Sequence, residues 1–169
     1  MKKTVKIIFA MILCTLSMFN FHAFALEEAP VEITDIKISQ EEINEMKNKG
    51  FVYDAAENGE RATGLIRYCA ISINDDFSLL QALGRIDCVS SVVKCGFKDI
   101  IVQKRASSSS SWVKHYQFDD ELTESNVHSL VKAVTTDLGY QYRVVCTFYA
   151  KKNFFSVETI TGYSNIMSW

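Results

Sequence analysis

Two stretches of this chain carry apolar residues at helical spacing, and each then runs through a glycine and an aromatic residue into a β-branched segment. In 76–95, Leu79, Leu83, Ile86 and Val93 fall on one stripe, with Asp75 or Asp76 as a cap and Gly96 just past the end. In 123–138, Val127, Leu130, Val131, Val134 and Leu138 share a face, and Gly139 follows. The spacing predicts an amphipathic helix over each stretch. Gly96 and Phe97 lead to Ile100, Ile101 and Val102, while Gly139 and Tyr140 lead to Val144, Val145 and Cys146, so each helix is expected to deliver a strand.

A strand is also expected ahead of each helix. Residues 64–73 are rich in Ile, Leu and Tyr on both faces, as a central strand would be, and 112–118 alternate, with Trp112, Tyr116 and Phe118 opposite Val113, His115 and Gln117. The five serines at 107–111 read as a hairpin loop. The order strand, helix, strand, strand, helix, strand predicts an α+β ferredoxin-like βαββαβ sandwich, an antiparallel sheet with two helices on one face. A further C-terminal strand fits 154–161. Ahead of the core, 31–38 suit a strand, and Ser39 with Glu42 makes a capping box for a short helix ending near Gly50.

The chain begins with the three parts of a secretory signal peptide: a positive head of Lys2, Lys3 and Lys6, an apolar run over 7–19, and the small residues of Ala23, Phe24 and Ala25. The apolar run is shorter than the ~20 residues of a membrane-spanning helix. Cys14 does not suit lipidation, because Leu13 stands where a small residue is needed. The expected organisation is a signal over 1–25, an N-terminal extension over 26–62 and one α+β domain over 63–169, located in the periplasm or outside the cell. Without the three signal lysines, 15 of the 18 basic residues remain against 20 acidic ones, a formal charge of about −5. That balance excludes nucleic acid and anionic lipid as natural partners, and no integral membrane anchor is expected after cleavage.

An exported chain with an even set of thiols favours disulfides. The mature cysteines are Cys69, Cys88, Cys95 and Cys146. Their spacing lacks a Cys-x-x-Cys pair or a matching histidine, so no metal or other cofactor is expected. In the expected sheet Cys69 and Cys146 lie on adjacent strands, and the expected pairings are Cys69 with Cys146 and Cys88 with Cys95. The second needs the helix to loosen after Ser90, and buried free thiols are the alternative for the first.

No catalytic constellation is assembled in the sequence. His115 and His128 are the only mature histidines, and no nucleophile elbow, phosphate loop or calcium loop occurs. The carboxylates Asp75, Asp76, Asp119, Asp120 and Glu121 precede the expected helices, where capping accounts for them. The acidic stretch 27–45 reads as a solvated extension, or as a docking arm for a basic partner.

The uncovered face of the expected sheet is the candidate binding surface, carrying Tyr68, His115, Gln117, Arg143 and Tyr149, unless the N-terminal extension or the C-terminal tail lies across it. The expected function is a small exported non-catalytic binding protein whose partner is a protein or cell-wall component of the envelope. The alternatives are an exported hydrolase of envelope material working through His115 and a carboxylate, or a periplasmic inhibitor or immunity protein.

Overall fold

Period-two burial, not helical burial, organises the chain. In Leu79–Cys88 the side chains of Leu80, Ala82, Ile86 and Cys88 enter the core while Leu79, Gln81, Arg85 and Asp87 are only partly buried. The computed structural model describes residues 41, 50–55, 64–76 and 79–169. Its elements are ten strands: β1 (Phe51–Asp54), β2 (Ile66–Asp76), β3 (Leu79–Cys88), β4 (Lys94–Arg105), β5 (Val113–Phe118), β6 (Glu121–Thr123), β7 (Val127–Thr135), β8 (Gln141–Asn153), β9 (Ser156–Tyr163) and β10 (Met167–Ser168).

Sheet A has the order β1-β2-β3-β7. In sheet B, β8 and β4 are the central pair. Against the outer edge of β8 lie β10, at Gln141 and Tyr142, and then β9, from Val145 onward. Against the outer edge of β4 lie β6, at Cys95 to Phe97, and β5, at Ile100 to Lys104. All pairings are antiparallel. The two sheets share one core, with Cys69, Ile71, Ile73, Leu80, Ile86 and Leu130 from sheet A against Phe97, Ile100, Val102, Tyr142, Val144 and Phe148 from sheet B. The architecture is therefore a two-sheet antiparallel sandwich.

This overturns the α+β ferredoxin-like expectation. The stretch read as the first helix is the turn end of β2, all of β3 and the start of β4, and the stretch read as the second is chiefly β7. Both mislead for the same reason. β7 buries Leu130 and Val134 on its inner face and Val131 and Ala133 on its outer face, so apolar residues recur at spacings of three and four as well as two. Where both faces are apolar, periodicity cannot separate strand from helix. The β-branched content of β7, with Val127, Val131, Val134 and Thr135, favours the strand.

The disulfide expectation is corrected too. Cys69, Cys88, Cys95 and Cys146 are buried free thiols. Cys69 is on β2 of sheet A and Cys146 on β8 of sheet B, so they belong to opposite layers rather than adjacent strands. Burial pushes the thiols of Cys69 and Cys146 well above the ordinary cysteine range. The hydrogen bond to Cys95, with burial, does the same to Cys88.

Two glycines are dictated by the packing. A Cβ on Gly84 would come 2.7 Å from the Phe97 ring, so β3 thins where that side chain crosses the core. Gly96 has φ +150°, and a Cβ there would meet the Glu121 backbone where β6 closes on β4.

Side chains sew the layers together along both open sides. The Glu158 carboxylate on β9 accepts from the Leu65 and Ile66 backbone N–H groups at the start of β2. Asn165 accepts from Ile73 N–H at 2.9 Å and donates to Ile73 carbonyl at 3.0 Å, standing in for a strand where β1 has ended. On the opposite side, Glu121 of β6 takes His128 Nε2 at 3.1 Å and Lys132 Nζ at 2.9 Å, both from β7. Burial alone would raise the Glu121 carboxyl, but the hydrogen bonds from His128 and Lys132 outweigh it and hold the group below its usual range.

The expected export signal, the strand over 31–38 and the capping-box helix up to residue 49 lie outside the described residues, apart from Glu41. β1 lies within the stretch assigned to the N-terminal extension and forms the edge of sheet A. No helix among the described residues is long and apolar enough to cross a membrane.

Candidate functional site

The outward register of sheet B is built from long polar and aromatic side chains. β8 turns Tyr142, Val144, Cys146, Phe148 and Ala150 inward, which leaves Gln141, Arg143, Val145, Thr147 and Tyr149 outward. Pairing carries that register across to Lys98, Ile101, Gln103 and Arg105 on β4 and to Thr159, Thr161 and Tyr163 on β9.

Five of these positions, Gln103, Arg105, Gln141, Arg143 and Tyr163, converge around Trp112, the residue that follows the serine loop. The loop between β4 and β5 folds on itself, with Ser110 N–H bonded to Ser107 carbonyl at 3.1 Å and the Ser107 hydroxyl near those of Ser109 and Ser110. It returns the chain so that Trp112 lies against both Arg105 and Arg143, each guanidinium 4.4 Å from the indole centroid. Arg143 also lies 5.0 Å from the Tyr163 ring. The two arginines are held by matching amides: Arg143 Nε donates to Gln103 Oε1 at 2.8 Å and Arg105 Nε to Gln141 Oε1 at 2.9 Å. Those pairs face each other across β4 and β8.

The electrostatics are one-sided. Arg105 Nη1 donates to Ser108 carbonyl, but no carboxylate pairs with Arg105, Arg143 or Lys114 among the described residues. Burial first, and the like charge of Arg105 after it, pull the Arg143 guanidinium below its ordinary value against the opposing effect of Tyr163. At the far end of the face Lys98 sits over Tyr149 at 4.8 Å and reaches Asp120 at 3.7 Å. The Arg143 guanidinium, with its Nε fixed on Gln103, is preset for two-point binding of a carboxylate or phosphate through its outer N–H groups.

The structure separates the residues expected to share an open face. Gln117, Arg143 and Tyr149 lie on the outward register of sheet B. Tyr68 is on the other sheet, where burial and then Asp87 push its phenol up to about 12. His115 is the extra residue of a bulge opposite Val102 and Gln103, which turns it off the face. Its Nε2 donates to Thr135 carbonyl at 2.9 Å and its ring meets Tyr142 edge-on, so it ties β5 to the end of β7. Nearby, Lys104 Nζ meets Asp137 at 2.6 Å and Asp137 N–H donates to the Tyr142 hydroxyl at 2.7 Å, making this corner a closed polar network.

Sequence reasoning missed Arg105, Trp112 and Tyr163. A signal for the first two was present: they flank the serine loop, and residues bracketing a hairpin loop are cross-strand neighbours. No group of three or more His, Cys, Asp or Glu side chains suited to a metal occurs among the described residues. No protein-family model, curated protein or solved structure matches the chain.

Proposed function

We propose that this chain is a small exported, non-catalytic binding protein of the cell envelope, and that it takes an anionic group of its partner on the outer face of sheet B. The observation that carries the reading is the pair of guanidinium groups stacked on Trp112 with no carboxylate beside them among the described residues. A buried or half-buried cation without a counter-ion is costly unless a ligand supplies one, and Arg, Trp and Tyr are the residues that dominate contact surfaces. Gln103, Gln141, Thr147, Thr159 and Thr161 surround them with hydrogen-bonding groups on the same register. Export rests on the lysine head, the apolar run and the small residues at Ala23 and Ala25.

Titration of the mature protein with polygalacturonate and with polyphosphate, followed by Trp fluorescence, tests the reading. Binding that weakens with salt and falls about a hundredfold or more in the Arg105→Gln, Arg143→Gln double variant is the expected outcome, since each charge-assisted contact contributes on the order of 1.5–3 kcal/mol. Equal affinity in the double variant, or no binding of either polymer, counts against it.

A further inference from the structure

The hairpin that joins β8 to β9 ends in two phenylalanines left in water. Phe154 is 81 % and Phe155 94 % exposed, their rings meet each other edge-on at 5.2 Å, and neither packs against the core. The turn does not ask for them. Asn153 pairs with Ser156, so Phe154 and Phe155 fill the central positions of a two-residue loop, where Asn, Asp and Gly are the usual residues. What closes the loop is Asn153, whose Oδ1 accepts the Phe155 N–H at 3.0 Å, a bond that needs only the backbone of residue 155. Two large apolar side chains held out of the core where short polar ones would serve the fold mark a contact site.

Further apolar surface and a basic cluster adjoin the tip. Val93 N–H donates to Lys151 carbonyl at 2.9 Å, which sets the half-exposed Val93 beside the hairpin. Lys94, Lys151 and the half-exposed Val157 form one rung across β4, β8 and β9 on the outward register, and the exposed Lys152 follows. Among the described residues no carboxylate pairs with Lys94, Lys151 or Lys152. The Glu158 side chain is on the opposite register, with its carboxylate on the Leu65 and Ile66 N–H groups. Lys94 thus faces Lys151 directly across a strand pair, a like-charge juxtaposition that weakens a sheet and that an external anion relieves.

Shape selects the partner. β8 continues two residues past its last pairing with β4, about 7 Å, so the rings stand on a convex tip rather than in a groove. A protein would need a matching pocket for them. The interfacial layer of a bilayer takes protruding aromatic side chains at about that depth without one, and its phosphates lie at the level of the flanking lysines. We infer that Phe154 and Phe155 insert into the surface of an anionic phospholipid membrane, with Lys94, Lys151 and Lys152 on the headgroup phosphates. The acidic balance of the whole chain, which argued against anionic lipid, is a sum over the surface; this end is locally basic, and apolar insertion contributes the larger part of the binding. The arginines about Trp112 are at the other end of β8, with Arg143 about 27 Å from Lys151 along the strand, so the inference does not depend on what they bind.

Sedimentation of the mature protein with vesicles of phosphatidylcholine alone, and of phosphatidylcholine mixed with phosphatidylglycerol, tests this. The protein is expected to bind the mixed vesicles more tightly. The Phe154→Ser, Phe155→Ser variant should lose about a hundredfold or more in partitioning to either vesicle. The Lys151→Gln, Lys152→Gln variant should lose about tenfold or more on the mixed vesicles and little on phosphatidylcholine alone. Both are expected to keep the wild-type thermal unfolding. No binding to the mixed vesicles, or binding that either variant leaves unchanged, overturns the inference. So would unfolding of the phenylalanine variant, which would return the rings to the fold, or a wild-type dimer in lipid-free solution that this variant abolishes, which would assign the tip to a second copy.

Discussion

The two outward faces of the sandwich obey the same alternation and have opposite fates. On sheet A the outward residues Ala70, Ser72, Leu83, Val131 and Ala133 are small or aliphatic and buried, while Gln81, Arg85 and Asp87 of the same register are only partly so. On sheet B they are mainly polar or aromatic, Arg143, Gln103, Gln117, Thr161 and Tyr163 beside the aliphatic Ile101 and Val145, and none is buried. Alternation locates a face, but side-chain size and chemistry decide whether that face is wet. A short aliphatic side chain gains by being covered, whereas an arginine held by a glutamine loses hydration unless the cover brings an anion.

The sharpest way to break this contrast lies between the faces. Because the four thiols are in the core and Cys69, Cys88 and Cys146 titrate above the ordinary range, maleimide labelling of the native protein should be slower than that of the unfolded chain by several orders of magnitude, about the folding equilibrium constant. Rapid labelling of any one under native conditions, followed by mass spectrometry, would show that the layers do not close on it. Next in size, Leu83→Asp on sheet A is expected to cost more than about 3 kcal/mol in denaturant unfolding, through a charge forced into a buried position. Thr161→Asp, on the outward register of sheet B, should change stability by no more than about 0.5 kcal/mol. Similar values for the two would abolish the distinction.

Smaller effects sharpen it. Trp112→Ala removes the platform for Arg105 and Arg143, and should weaken anion binding about tenfold while costing only about 1 kcal/mol of stability. A loss of folding instead would make Trp112 part of the core rather than of the face. The smallest effect concerns the seam at Glu121. Its carboxyl is held below the ordinary range by His128 and Lys132 despite burial. The stabilisation is therefore complete above the usual glutamate range and disappears as pH falls through the depressed value. Glu121→Gln should cost about 1 kcal/mol at neutral pH, and the difference from wild type should vanish in acid. A difference that persists in acid would point to packing rather than charge.

Much of the strand content was legible in local pattern. Residues 64–73, 112–118 and 154–161 alternate or carry β-branched and aromatic side chains, and β2, β5 and β9 overlap them. The helix expectations failed where strands are apolar on both faces, as in β7, or carry a glycine such as Gly84 that interrupts the alternation. Of the expected contact residues, Gln117, Arg143 and Tyr149 share a face because strand parity is local. Tyr68 and His115 do not, because sheet membership and a one-residue bulge are set by distant partners. Arg105 and Trp112 meet through a hairpin whose geometry depends on how the serine loop folds.

The sequence by itself determined the acidity of the chain, the number of its thiols and the alternation that aims each side chain to one side or the other. Those are properties of composition and of neighbours a few residues apart. Tertiary structure decided that the alternation belongs to two sheets facing each other, that Cys69 and Cys146 stand in opposite layers, and that Arg105 and Arg143 of sheet B have no acidic partner among the described residues while Leu83 and Val131 of sheet A are buried. The reason is physical. Strand pairing and layer packing join residues far apart in the chain, Leu65 and Glu158 by 93 positions, and no local window contains both partners of such a contact.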